Sequence, residues 1–158
     1  MTMPTFKFAM ALTVAVLALG SAMPVAAQQP VSTLGAKPAA DATLYNDFGG
    51  LPGLTKVVED TLALVLADDR IKDTFKNSDT KHVTKMIIEQ FCELTGGPCK
   101  YSGDGMHEVH QGLALSNRQF NALVEDLQIA MDQSHIPSRT QNKLLAMLAP
   151  MQRMIVTR

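Results

Sequence analysis

Residues 105–112 read Gly-Met-His-Glu-Val-His-Gln-Gly, and the second histidine of this stretch, His110, falls 14 residues after Gly96. Gly96 opens a Gly-Gly-Pro sequence, which is strong helix-termination chemistry. A further pair, Gly49-Gly50, comes just before the first long segment in which apolar residues recur at helical spacing. The order and spacing of these three motifs indicate the fold of the chain.

The 158 residues allow one domain with one core, and the first 27 residues are predicted not to belong to it. A short positive start ending at Lys7 is followed by an uncharged apolar run, residues 8–19, and by small residues at 24–27. This layout predicts a secretory signal peptide at residues 1–27. The apolar run is shorter than the roughly 20 residues that span a bilayer, although an uncleaved anchor is the alternative.

The remaining chain is mildly acidic. Without residues 1–27 it keeps 13 basic and 15 acidic residues, a net charge of −2, and it has no basic block that would indicate nucleic-acid binding. Residues 28–42 are rich in Ala, Pro and Gln and predict a flexible linker, which leaves residues 43–158 as the folded domain. We expect export to the bacterial periplasm, with no stable membrane span after cleavage.

Helical periodicity dominates this domain, and no segment alternates with period two for long enough to predict a strand. Ser116 with Gln119, and Ser138 with Gln141, have the spacing of capping boxes at helix starts. Short helices are expected at 43–48 and near 106–110. Four apolar stripes predict longer helices: Leu51, Leu54, Val58, Leu62 and Val65; Val83, Ile87, Phe91 and Leu94; Phe120, Val124, Leu127 and Met131; and Leu144, Leu148, Met151 and Ile155.

The two cysteines, Cys92 and Cys99, flank the Gly-Gly-Pro turn. An exported protein permits a disulfide, and closing so short a loop is worth about 2.5 kcal/mol in the chain-entropy model. A bridge needs Cα atoms within about 6–7 Å, so a bridged pair and two free thiols, one buried at Cys92 and one exposed at Cys99, stay open as alternatives. A zinc site is disfavoured because no second close pair of ligands accompanies the cysteines.

Together these motifs resemble the truncated haemoglobins, most closely group I, from about Thr43 to about Ile155. In that family a glycine pair follows a short first helix, Gly-Gly-Pro ends the distal helix, and Met-x-x-x-His-x-Gly carries the proximal histidine. The resemblance implies an all-α, two-over-two helical sandwich that holds haem b non-covalently, with His110 bound to the iron. His107 lies three residues earlier and is the alternative ligand, which the Gln-Gly sequence after His110 disfavours.

The resemblance also implies which residues surround the porphyrin. Phe75 matches the family phenylalanine that packs on the porphyrin face. A propionate could pair with Lys81, Lys85 or His82, although a solvated helix face is an equally good interpretation of these three. The distal wall would be Leu62, Val83, Met86, Ile87 and Phe91, and the proximal wall Leu115, Phe120, Val124 and Leu148, all of which could equally be ordinary core.

The chain departs from its family on the distal side. Leu62 stands at the position of a distal tyrosine and Ile87 at that of a glutamine, while Val83 takes the third distal position. No hydrogen-bond donor is therefore expected above the iron. Met86, or His82 after a small helix rotation, could instead supply a sixth ligand to the iron, although haem-edge packing is the simpler role for a methionine.

These features favour a protein that binds a diatomic gas, O2, NO or CO, without a catalytic residue, although weak nitric oxide or peroxide chemistry at haem stays open. The alternative is a periplasmic redox protein with Met86 or His82 as the sixth ligand and an unknown electron donor. A haem-free helical interaction domain is a third alternative, which the retained His110 and Phe75 disfavour.

Overall fold

The structure is a computed structural model that describes residues 42–158. The predictions of a signal peptide at 1–27 and of a linker up to residue 41 lie outside the described residues. The described part is helical: α1 Ala42–Asp47, α2 Gly50–Ala67, a 3₁₀ helix Lys72–Phe75, α3 Thr80–Leu94, α4 Met106–Val109, α5 Asn117–Gln133, α6 Ser138–Leu148, a 3₁₀ helix Ala149–Met151 and α7 Gln152–Ile155. Over this range no helix is long and apolar enough to cross a membrane.

The four long helices pack in two layers. Helix α2 packs against α3 and α5, and α6 packs against the same two helices. The core between them contains Leu44 and Phe48 from the chain around α1, Leu54 and Val58 from α2, and Met131 from α5, all at most 1% exposed. The predicted all-α architecture is therefore confirmed, with α2 and α3 as one pair and α5 and α6 as the other.

The Gly49-Gly50 pair makes the sharp turn between α1 and α2. Both residues have positive φ, 81° and 69°, which a residue with a Cβ adopts only with strain. Gly53 follows within the first turn of α2, where an added Cβ would lie 1.8 Å from the Phe48 carbonyl oxygen. Glycine at these positions lets α1 fold closely onto the start of α2.

Helix α3 has a defined start and a defined end. The Asp79 carboxylate accepts hydrogen bonds from the backbone N–H groups of Lys81, at 3.0 Å, and His82, at 3.2 Å. After Leu94 the chain turns through Gly96, whose φ is 87°. Cys92, near the end of α3, forms a disulfide with Cys99, with Cα atoms 5.7 Å apart. Of the two alternatives for the cysteines, the structure therefore has the bridged pair.

The two predicted capping boxes have different outcomes. The box of Ser116 and Gln119 at the start of α5 is confirmed, with both reciprocal hydrogen bonds present. The box of Ser138 and Gln141 is wrong, because α6 begins one residue earlier, with Pro137 as its N-cap. The Gln141 amide instead donates to the Asp132 carboxylate, at 2.7 Å, and ties α6 to the end of α5.

Two predicted apolar stripes need correction. Leu51 lies on the solvent side of α2 and is 42% exposed, because the buried face of the helix begins at Leu54. The fourth stripe does not lie on one helix, since α6 ends at Leu148 and a 3₁₀ turn containing Pro150 separates it from α7.

Candidate functional site

A cavity of about 720 Å³ lies between α3, the chain around α4, α5 and the C-terminal turns. This volume falls within the range of small-molecule and cofactor sites. Phe75, at the end of the first 3₁₀ helix, also lines the cavity. The elements around it come from both helix pairs, so the cavity forms only when the whole domain is folded.

Most of the residues predicted to surround a porphyrin lie on the wall of this cavity. Leu62 is an exception, since it is 5% exposed, belongs to the core cluster and does not line the cavity. The structure therefore does not place Leu62 at the cavity, although Phe91 and Leu127 of the same core cluster do form part of the wall. The predicted residues that do line the cavity are His110, Phe75, Val83, Met86, Ile87, Phe91, Leu115, Phe120, Val124 and Leu148.

His110 is the half-buried residue that directly follows α4, and its ring orientation is fixed by one hydrogen bond. Its Nδ1 lies 2.7 Å from the backbone carbonyl oxygen of Met106, one helical turn earlier. A carbonyl oxygen can only accept a hydrogen bond, so Nδ1 carries the proton of the neutral ring and Nε2 keeps its lone pair. An imidazole held in this tautomer is prepared to bind a metal ion through Nε2.

The other histidines and the two candidate lysines differ in whether they line the cavity. His107 and His135 are exposed and do not line the cavity, whereas His82 is exposed and does. Lys85 also lines the cavity, with its Nζ 3.7 Å from the Glu89 carboxylate. Lys81 does not reach the wall. Two of the three residues predicted to pair with a propionate, His82 and Lys85, are therefore at the cavity.

Besides His82 and Lys85, the α3 wall is apolar apart from one amide that the sequence interpretation missed. Val83, Met86 and Ile87 line the cavity, and Gln90 continues their face of the helix three residues after Ile87. The Gln90 amide nitrogen lies 3.3 Å from the Met106 sulfur and 3.9 Å from the Met151 sulfur, both weak acceptors. Helical spacing from Ile87 would have placed Gln90 at the cavity.

The connection between α3 and α4 supplies a polar part of the wall, also missed from sequence. Tyr101, Ser102, Gly103 and Asp104 all line the cavity. The Tyr101 hydroxyl donates to the Asp104 carbonyl oxygen at 2.8 Å, and burial raises the pKa of this phenol. The segment has no periodicity, so only its position between the turn at Gly97 and His110 could have indicated a role.

The donor set fits a porphyrin better than a bare metal ion. Within residues 42–158, no cluster of three or more His, Cys, Asp or Glu side chains could hold a metal ion. A porphyrin brings its own four nitrogen donors and needs from the protein one axial imidazole and an apolar slot. His110 and the largely apolar wall provide both.

Comparison with known proteins agrees with this geometry. Residues 43–157 match the bacterial-like globin family. The group 1 truncated haemoglobin of Mycolicibacterium paratuberculosis is 31% identical over 116 residues, which cover 73% of this chain and 85% of the relative. That of Tetrahymena pyriformis is 40% identical over 85 residues, covering 54% of this chain and 70% of the relative.

Solved structures show the same fold. The crystal structure of the Tetrahymena pyriformis protein, in its Fe(III) form, aligns with a TM-score of 0.70 at 30% identity, covering 73% of this chain and 98% of that one. The 2/2 haemoglobin of a Synechococcus species, which carries covalently attached haem, aligns with a TM-score of 0.68 at 22% identity, covering 73% and 98%. This chain therefore belongs to the bacterial-like globin family, has the two-over-two helical fold, and is a relative of the group 1 truncated haemoglobins.

Proposed function

We propose that this globin holds haem b non-covalently, with the Nε2 atom of His110 as the axial ligand, and binds a diatomic gas. The observation that carries the proposal is the 2.7 Å hydrogen bond from His110 Nδ1 to the Met106 carbonyl oxygen, at the wall of an apolar cavity. Family membership implies haem and gas binding in general, and the absence of a Cys-x-x-Cys-His sequence supports non-covalent attachment. Bound haem would supply an iron atom with one coordination position open to a gas.

The cavity wall divides into two faces for the porphyrin. Val83, Ile87 and Phe91 belong to α3 and would pack on the distal face, while Phe120 and Val124 of α5 would pack on the proximal face. Lys85 and His82 line the cavity and would pair with the propionates. Packing an apolar macrocycle against these side chains removes apolar surface from water, which is the main driving force for haem retention.

The distal residues predict which gas binds well. Bound dioxygen carries partial negative charge, and a missing hydrogen bond to it costs about 1–3 kcal/mol, or about 5- to 150-fold in affinity. Val83 and Ile87 carry no donor, and Met86 offers only a thioether. We therefore propose that CO and NO are bound readily and that dioxygen is released quickly.

A redox role is the second candidate, because two residues that could act as a sixth ligand line the cavity. Met86 and His82 both belong to α3 and line the same cavity as His110. A His–Met haem has a raised reduction potential and suits electron transfer. Met86→Ala would then change the spectrum of the ferrous protein, whereas under the gas-binding proposal it would not.

We further propose that residues 1–27 direct export and that residues 28–41 form a linker, so that the globin acts in the bacterial periplasm. The charge and hydropathy pattern of residues 1–27 supports export. The Cys92–Cys99 bridge adds support, since disulfides persist in oxidising compartments. Fractionation of cells expressing the full chain, with removal of residues 8–19 as the control, tests this part.

The test of the main proposal is a titration of the purified protein with hemin, followed by ferric, ferrous and CO spectra. We expect one haem per chain, a five-coordinate ferrous form, and fast CO binding. Low-spin spectra in both oxidation states that change in Met86→Ala would favour the redox candidate. Failure of hemin to produce a Soret shift under folded, reducing conditions would overturn both.

A further inference from the structure

The Cys92–Cys99 disulfide joins two parts of the same cavity wall. Cys92 lies near the end of α3, the helix that contributes Val83, Ile87 and Phe91 to the wall. Cys99 begins the stretch that contributes residues 101–104 and then continues directly into α4 and His110. The bridge therefore ties α3 to the start of the segment that ends at His110.

Two carboxylates of α3 also hold this segment through hydrogen bonds. The Glu93 carboxylate accepts from the backbone N–H of Tyr101 at 2.9 Å. The Glu89 carboxylate accepts from the backbone N–H of Ser102 at 3.0 Å and from its hydroxyl at 2.6 Å, and these bonds lower the pKa of Glu89. Such bonds can break and re-form with water, whereas the disulfide is the one covalent link that this two-cysteine chain can make.

The two cysteines differ in burial. Cys92 is fully buried, and Gly97 packs so closely on it that an added Cβ would lie 2.7 Å from the Cys92 sulfur and 2.6 Å from the Tyr45 ring. Cys99 is only half-buried. We therefore expect an external thiolate to approach the bridge from the Cys99 side, while Cys92 stays in the core, where a reduced thiol packs as a small apolar group.

We infer that the Cys92–Cys99 bridge is a redox-sensitive clamp on the haem cavity, which retains haem when oxidised and loosens it when a dithiol reduces it. The inference depends on the haem-binding function proposed above. In the reaction, one dithiol sulfur bonds to Cys99, the disulfide bond breaks, and Cys92 leaves as a thiolate that takes up a proton. The second dithiol sulfur then displaces Cys99 as a thiol, so the reductant becomes a disulfide and two electrons and two protons pass to the cysteines.

The size of the effect follows from the short loop. In the chain-entropy model, closing the loop between Cys92 and Cys99 shifts the folding equilibrium about 70-fold towards the folded state. Because the hydrogen bonds to Glu89 and Glu93 remain after reduction, we expect only part of this factor to reach the haem site. Haem loss should then become about tenfold faster, with helix content unchanged.

The experiment measures haem transfer from the full-length ferric protein to excess apomyoglobin. One sample is oxidised, and the other is reduced with dithiothreitol that is then removed by anaerobic gel filtration. Alkylation and mass measurement verify that both thiols are free. The control is the double variant Cys92→Ala/Cys99→Ser, which should lose haem at the rate of the reduced protein whether or not it has been treated.

Equal rates for the oxidised and fully reduced proteins would overturn the clamp while leaving haem binding intact. A response of the double variant to dithiothreitol as large as that of the natural sequence would also overturn it, because the effect would then come from the reagent. A protein without a Soret band in either redox state would instead remove the proposed function, and the clamp with it.

Discussion

Replacing Ile87 by glutamine should slow the release of dioxygen, because neither Ile87 nor its neighbours Val83 and Met86 on the α3 wall carry a strong hydrogen-bond donor. Ile87 is half-buried and lines the cavity, so a side chain of similar length enters the site without displacing the core. A hydrogen bond to a partially charged acceptor is worth about 1.5–3 kcal/mol, and we subtract about 0.5–1 kcal/mol for placing the free amide in an apolar wall.

The net gain of about 1–2 kcal/mol corresponds to roughly 5- to 30-fold slower dissociation. Stopped-flow displacement of dioxygen by CO measures this rate, and the rate of CO binding should change by less than about threefold, since bound CO is a poor acceptor.

Two control variants distinguish the effect of the added amide donor from the effect of altered packing. Ile87→Leu keeps the wall apolar, and Ile88→Gln places the same amide on a residue that packs against the core instead of lining the cavity. An unchanged rate in Ile87→Gln, or an equal change in Ile87→Leu, would refute the reasoning.

Three further predictions concern residues that do not line the cavity. Leu62→Tyr should lower the free energy of unfolding in urea by about 1–3 kcal/mol, because Leu62 is 5% exposed and lies in the core. For the same reason it should slow dioxygen release less than Ile87→Gln does. A larger slowing would place residue 62 at the bound ligand. Asp126→Asn should raise the free energy of unfolding at pH 7 by about 1 kcal/mol, because one carboxylate oxygen of this buried residue has no hydrogen-bond partner. Ser116→Ala should cost about 1 kcal/mol through loss of the α5 cap, and an unchanged urea midpoint would contradict this.

The pH dependence of the Asp126 prediction follows from the direction of its shift. Burial, and then the nearby Asp68, raise the pKa of Asp126 above its ordinary value of 3.8. The folded state therefore binds this proton more readily than the unfolded chain, and stability falls as pH rises through the interval above 3.8. The advantage of Asp126→Asn should shrink as pH falls towards that value, and an advantage independent of pH would contradict the assignment.

The helices could be predicted from sequence because residues close to each helix end determine where the helix begins or stops. Gly96 and Pro98 end α3, and the Ser116 hydroxyl with its partner Gln119 starts α5, whatever the rest of the chain does. Ser138 and Gln141 have the same spacing, but the carbonyl of Pro137 accepts from Thr140 and Gln141 and begins α6 one residue earlier. Sequence spacing alone does not distinguish these two outcomes.

The part of the site that lies on helices could be predicted from sequence, because helical spacing brings residues to one face. Residues at helical spacing from one another, such as Val83, Ile87 and Phe91, reach the same wall, and all three line the cavity. Leu62 shares the apolar character of its neighbours on α2, yet it packs in the core with residues of α3 and α5 and does not line the cavity. Tyr101 reaches the wall through a connection with no periodicity, which the disulfide and two carboxylates hold in place.

The role of His110 is tested most directly by resonance Raman spectroscopy of the ferrous, haem-loaded protein. We expect an iron–histidine stretching mode that is present in the natural sequence, retained in His107→Ala, and lost in His110→Ala until free imidazole is added. An iron–histidine mode that persists in His110→Ala without imidazole, or that disappears in His107→Ala, would contradict it.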